Sequence, residues 1–231
     1  MKYPGDELEN FSLAHNWKKY FSEILSDFIK GNVLEVGSGL GETTPYLIND
    51  TVTSLTAVDP DPEHAEIISS KIRSGKLPEI CRSACGTLSI FKADKFDTII
   101  YIDVVEHIKD DAMEISLAKN LLTDSGYLLI LAPAIPFLYS DFDISLGHYR
   151  RYTKNQLNST CQELNLEPVL LRYIDSAGAA LSAGKKLLRL TSHSSKEILT
   201  WDRYFIPISK ISDIFLKNIF GRSVIGIWRK T

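Results

Sequence analysis

The residues best suited to chemistry fall in two stretches. The first is Glu35-Val36-Gly37-Ser38-Gly39-Leu40-Gly41, followed by Asp59-Pro60. Glycines in such a loop permit positive φ and let main-chain amides approach a ligand with no Cβ in between. A carboxylate roughly 20 residues further on, at the end of the next strand, can grip the hydroxyls of a ribose. A nicotinamide dinucleotide and S-adenosylmethionine both fit that much. A dinucleotide, however, needs G-x-G-x-x-G to set its pyrophosphate on a helix end. Here the third glycine, Gly41, comes one residue early, and Glu42 stands where it is needed. Glu35 instead suits a cationic ligand such as a sulfonium with its amino group.

The second stretch runs from Tyr139 to Tyr152. His148 is the candidate general base, because imidazole titrates near neutrality and can take a proton from a hydroxyl. It also reads as a loop histidine that only holds Asp141 or Asp143. Arg150 and Arg151 carry planar forks that can clamp a carboxylate or phosphate, or they are a surface pair opening the next helix. Tyr139, Asp141 and Tyr152 complete the candidate acceptor-binding set. His107, beside Glu106, is a second candidate base or a pocket-shaping residue. No cluster of His, Asp and Cys has metal-ligand spacing, so no metal is indicated. Cys85 reads as a small buried residue rather than a reactive thiol.

The elements that must position these residues follow from periodicity and punctuation. The pattern predicts an amphipathic helix over 11–29, strands over 33–36, 54–58, 79–84, 96–102, 127–131, 169–174 and 223–228, and helices over 43–48, 62–73, 110–122 and 153–163. Asp124-Ser125-Gly126 reads as a turn. Alternating strands and helices make an α/β fold, a parallel sheet covered on both faces, whose ligands sit beyond the C-terminal strand edges. The glycine loop, Asp59, Asp103 and the 132–152 segment all follow strands.

Three motifs in order resemble class I S-adenosylmethionine-dependent methyltransferases. E-x-G-x-G-x-G at Glu35–Gly41 is similar to their first motif. Phe96-Asp97 through Asp103-Val104-Val105-Glu106-His107 is similar to their fourth, and Gly126–Leu131 to the glycine-led strand that follows. The resemblance implies a Rossmann-like, seven-stranded, mostly parallel sheet with helices on both faces and an antiparallel last strand. It implies that Glu35, Gly37, Ser38, Gly39 and Gly41 surround the methionine part of the cofactor. Asp59 and Pro60 would then meet the ribose, and Asp103 would lie beside the methyl donor. Many relatives carry an Asp after the third strand; Ser83–Leu88 has none, so backbone groups of Gly86 and Thr87 take its place. Leu-Tyr-Ser-x-x-Asp followed by Gly-His-x-Arg-Arg-Tyr resembles a bacterial branch that often accompanies glycosyltransferases and secondary-metabolite pathways. Trp201-Asp202-Arg203, Pro207 and Phe220–Ser223 fit it too. The branch implies methyl transfer to a hydroxyl of a small sugar-derived, lipid-linked or secondary-metabolite acceptor. N-methylation of an amine, or a relative that binds the cofactor without turnover, stays open.

Composition sets the outer bounds. The 231 residues, 44% hydrophobic, suit one globular domain over 1–231, with a helical cap at 1–30 and acceptor-side insertions at 132–152 and 176–220. Residues 1–147 hold 12 Lys and Arg against 23 Asp and Glu, whereas 148–231 hold 14 against 6. That imbalance is compatible with an anionic acceptor, but it is scattered and forms no basic stripe of the kind nucleic acid requires. The polar N-terminus and three cysteines point to a reducing cytoplasm. Ser176–Leu190, the longest candidate run, is broken by Lys185, Lys186 and Arg189 and is too short to span a bilayer.

Overall fold

The computed structural model describes residues 11–188, 195–216 and 219–231. The first ten residues of the expected cap, and 189–194 and 217–218 of the expected second insertion, lie outside the described residues. Seven strands form one sheet: β1 (Gly31–Val36), β2 (Val52–Asp59), β3 (Cys81–Cys85), β4 (Phe96–Ile102), β5 (Leu122–Pro133), β6 (Leu166–Ile174) and β7 (Ser223–Lys230). Their spatial order is β3-β2-β1-β4-β5-β7-β6. β1 to β5 pair in parallel, and β7 slots antiparallel between β5 and β6. The expected fold class is the observed one, with the last strand inside the sheet rather than at its edge.

Neighbouring residues along each strand feed opposite cores, because side chains alternate across a pleated sheet. Val33, Leu55, Ile100, Leu129 and Ile227 pack on one face with Trp17, Phe21 and Leu25 of α1 (His15–Leu25). Leu34, Val58, Ile99, Leu128 and Ile130 pack on the other with Ile115 of α3 (Asp111–Leu121) and Leu157 of α5 (Lys154–Glu163). Capping sets the helix starts. α2 (Pro62–Arg73) begins with Asp61 accepting from the Glu63 amide at 2.9 Å, with Pro62 next, and Gly75 follows its end at φ +72°.

Two expectations about elements are corrected. The segment after the glycine loop forms only a 3-10 turn, Thr44–Leu47, instead of a full helix. The Thr44 hydroxyl is committed to buried Glu35, and the chain turns extended at Ile48 (φ −101°, ψ 126°). Asp124-Ser125-Gly126 does not end one element and start another. It lies inside β5, where Ser125 takes φ +65° and the register against β4 slips between Phe96 and Thr98.

The remaining helices are α4 (Asp141–Ser145), α6 (Ser176–Leu187), α7 (Ser195–Thr200), a π turn at Trp201–Phe205 and α8 (Ile206–Phe215). Buried carboxylates tie them down. Asp202 accepts from the Asn16 and Trp17 amides at 3.1 and 2.8 Å and so docks the start of α1. Asp213 accepts from the Tyr20 hydroxyl and from the amides of Asp175 and Ser176. Among the described residues no helix is long and apolar enough to cross a membrane.

Candidate active site

A cavity of about 1080 Å³ opens at the C-terminal ends of β1, β2 and β4. It lies just above the roughly 300–1,000 Å³ of ordinary ligand pockets, large enough for a nucleoside-sized ligand and a second molecule.

On one side the wall is mostly backbone. Gly37 and Ser38 donate their amides to the Val58 carbonyl at 2.8 and 3.2 Å, which folds the loop over the sheet edge. Gly37 has φ +68°, and a Cβ there would lie 2.6 Å from a Val104 methyl. Gly39, at φ +52°, donates to Asp59 Oδ2 at 2.8 Å. Gly41 differs from the others. It packs against Ile68 of α2 and is not among the cavity-lining residues. Asp59 Oδ1 accepts from the Asp61 amide and meets His64 Nδ1 at 3.1 Å, so its carboxylate is held rigid with one lone-pair direction of Oδ2 open. Pro60, Gly86 and Thr87 continue the wall. Glu35 is buried and accepts from the Thr44 hydroxyl at 2.7 Å; burial pushes its carboxyl up to about 7. The Ser38 hydroxyl is buried with no partner.

These features test the fit of S-adenosylmethionine from the chain's own side. The glycine loop is a cradle that side chains would fill, the Ser38 hydroxyl awaits a hydrogen bond, and a buried acid waits for a cation. All are what an aminoacyl sulfonium nucleoside needs.

The other side is built from side chains. Asp103, at the end of β4, takes the left-handed φ of +52° and opens into the cavity. Desolvation lifts its carboxyl to about 6 against the pull of His148, Arg222 and Arg151. Ile135 after β5 (φ +58°) and Asp175 after β6 (φ +63°) are also left-handed, so three strand ends at this edge hold non-glycine residues in a costly conformation. His148 lines the cavity with Nδ1 3.0 Å from Asp143 Oδ1. Asp143 is fully buried and also takes Arg151 bidentately, Nε at 2.8 Å and Nη2 at 3.1 Å. Burial alone would raise Asp143, but the bonds from His148 and Arg151 hold it at about 2. His107 stands edge-to-face with His148, ring centroids 4.6 Å apart. Burial, then His148, lowers its imidazole to about 4.

Of the two histidines His148 is therefore tied to Asp143, not Asp141. Asp141 is exposed on the first turn of α4, outside the cavity lining. Among the expected acceptor-binding residues only Arg151 lines the cavity. Arg150 points away, 2.7 Å from Asp111 and donating to the Lys109 carbonyl. The Tyr139 hydroxyl donates to the His148 carbonyl at 2.6 Å, and Tyr152 is buried with its hydroxyl on Asp111. Both brace the loop. Cys85 is exposed, against expectation, while Cys81 and Cys161 are buried; the weak third strand ends at Cys85 and leaves it at the sheet's open edge.

Sequence reasoning expected the roof's segments but named none of its residues as part of the site. Trp17 and Lys18 of α1, in the expected helical cap, and Leu181, Lys185, Trp201 and Arg222, in or next to the expected second insertion, also line the cavity. Lys18 is held down by the Phe11 and Ser12 carbonyls, and burial lowers its ammonium to about 8. Arg222 lies 4.0 Å over the Trp201 ring and 3.4 Å from Asp175, which also accepts from Trp201 Nε1. One signal was available. β7 runs antiparallel, so it is the residues before it, not after it, that reach the ligand edge, and Arg222 immediately precedes β7.

Residues 11–171 match the family model for a methyltransferase domain. The fold is similar to geranyl diphosphate C-methyltransferase from Streptomyces coelicolor A3(2), solved with Mg2+, geranyl diphosphate and S-adenosyl-L-homocysteine. The TM-score is 0.66 at 12% identity, covering 94% of this chain and 80% of that one. It is also similar to an S-adenosylmethionine-dependent methyltransferase from Clostridium acetobutylicum, TM-score 0.59 at 13% identity, covering 93% and 91%. In sequence, 59% of the chain is 29% identical to a Dictyostelium discoideum protein named Probable polyketide synthase 22, and the match spans 6% of that protein's length. The loop geometry, the order of motifs and the family match agree: the chain belongs to the methyltransferase-domain family.

Proposed function

We propose that the enzyme methylates a hydroxyl of a small, anionic acceptor, of the sugar-derived or secondary-metabolite kind. The observation that carries this reading is the Asp143–His148 pair, which presents an imidazole nitrogen to the same cavity that Asp103 enters from the cofactor side. S-adenosylmethionine, when bound along Glu35, Gly37–Gly39 and Asp59, supplies an electrophilic methyl group. The chain's residues do the rest. Asp143 fixes the tautomer and direction of His148, which takes the acceptor's proton as the oxygen is alkylated. The roof of Trp17, Trp201 and Arg222 excludes water. Lys196, together with Lys185 and Arg222, which are paired to Glu197 and Asp175, forms the set of cavity-wall groups that a phosphate or carboxylate of the acceptor would meet. The similarity to a polyketide synthase supports a secondary-metabolite acceptor.

The test is turnover with methyl-labelled cofactor against a panel of hydroxylated and aminated polyketides and sugars, the product linkage being read by NMR. Transfer to oxygen in one acceptor class is the expected outcome. Label found on nitrogen or carbon across the panel would sink the hydroxyl reading.

A further inference from the structure

Glu106, on the 3-10 turn that follows β4, is completely buried, and neither of its carboxylate oxygens has a hydrogen-bond partner. A buried carboxylate with no donor is costly, and hydroxyl deprotonation by His148 gives it no task. The side chains around it explain what could satisfy it. One ligating atom from each of Glu106, His107 and His148 lies within 4.8 Å of the other two. Both imidazoles are oriented from behind. His148 uses Nδ1 on Asp143, which leaves Nε2 as the atom it offers, and His107 is held by the Leu146 backbone. A carboxylate or carbonyl behind each imidazole is the outer support that metal-ligating histidines use.

We propose that Glu106, His107 and His148 bind a divalent first-row transition ion in the floor of the cavity. Two nitrogens and one carboxylate favour zinc, cobalt or manganese over magnesium and calcium, which prefer all-oxygen surroundings. Three protein ligands leave a position open toward the cavity, where an acceptor oxygen can bind. The site deepens the hydroxyl reading and its catalytic part rests on that reading. A hydroxyl bound to the ion would lose its proton to solvent more readily, and with Nε2 on the ion His148 would act as a ligand, this step replacing the proton transfer to His148 described for the ion-free protein.

The experiment uses the full chain, stripped with chelator and titrated with Co2+ and Zn2+. Expected are one equivalent of Co2+ with visible d–d absorption, its displacement by Zn2+, and Zn2+ affinity weakened about 10- to 100-fold by Asp143→Asn. Glu106→Gln and His148→Ala should weaken it further, and His15→Ala, remote from the cluster, should not. Adenosylhomocysteine binding to each variant checks its fold. Failure of the parent to take up Co2+, or Zn2+ binding undiminished in folded Glu106→Gln and His148→Ala proteins, would overturn the site. Hydroxyl methylation that persists after chelation, together with no Co2+ uptake, refutes the site and leaves the hydroxyl reading standing. Ion bound as expected in an enzyme that alkylates only nitrogen refutes the hydroxyl reading and leaves the site.

Discussion

The two walls of the cavity are made by different means. The wall where we propose the cofactor lies is main chain: Gly37 and Gly39 at positive φ, amides anchored to the Val58 carbonyl, and one carboxylate, Asp59, locking the loop. The wall we propose for the acceptor is side chains in mutual contact: Asp143 with His148 and Arg151, and Asp175 with Trp201 and Arg222. The first depends on which residues can leave the wall bare. The second depends on which charges stay paired, and it can change its ligand by changing side chains while the backbone stays put.

If that contrast holds, damage to each wall should read out differently. The largest effect is expected from Gly39→Val. A branched side chain at φ +52° is strained and fills the cradle, so calorimetry should detect no binding of S-adenosylmethionine to the folded variant. Unchanged affinity would break the comparison on its cofactor side. His148→Gln comes next, with turnover down ~10²–10⁴ and donor affinity intact, read by steady-state kinetics beside a binding isotherm.

Glu35→Gln probes the buried acid of the backbone wall whose ionisation burial opposes. Its carboxyl is raised to about 7 by burial. The stability its neutral form allows is therefore present at low pH and lost as pH rises through about 7. The cofactor-free parent should lose thermal stability between pH 5 and 8, and the Gln variant should not. The gap at pH 8 is on the order of 3 kcal/mol, and the variant should bind the cationic cofactor more weakly. A parent and variant that melt in parallel across that range would remove the buried charge from the account.

The smallest effect separates two adjacent arginines. Arg151→Lys cannot reproduce the fork on buried Asp143 and should raise the acceptor KM, while Arg150→Ala, which breaks a part-exposed pair with Asp111, should cost about 0–1 kcal/mol and leave KM alone. Equal effects on KM would mean the acceptor wall extends further than the cavity lining.

The same division explains what could be read from the amino acids. Pro62–Arg73 and Phe96–Ile102 are found at their predicted bounds because caps and β-branched runs are local signals. The glycine loop and Asp59 were legible for the same reason: a bare backbone turn needs particular residues in a row. The acceptor wall was legible only in fragments. His148 could be named, but its choice of Asp143 over Asp141 depends on which side of the short α4 each carboxylate occupies. Arg150 and Arg151 looked alike in sequence. In the extended stretch before Tyr152 consecutive side chains point to opposite sides, so one faces the cavity and the other α3. Glu106, His107 and His148 have no recognisable spacing, since a separate loop brings in the third.

The place of β7 in the sheet has a consequence for synthesis. Among the described residues β6 hydrogen-bonds to no strand but β7, and the outer edge of β5 is covered by the same strand. As the chain leaves the ribosome, β1 to β5 can pair in the order they appear, whereas β6 emerges with nothing to join and waits through α6, α7 and α8. Until residues 223–230 arrive, an apolar strand edge stands open beside a half-made pocket, and it closes in one late, long-range step.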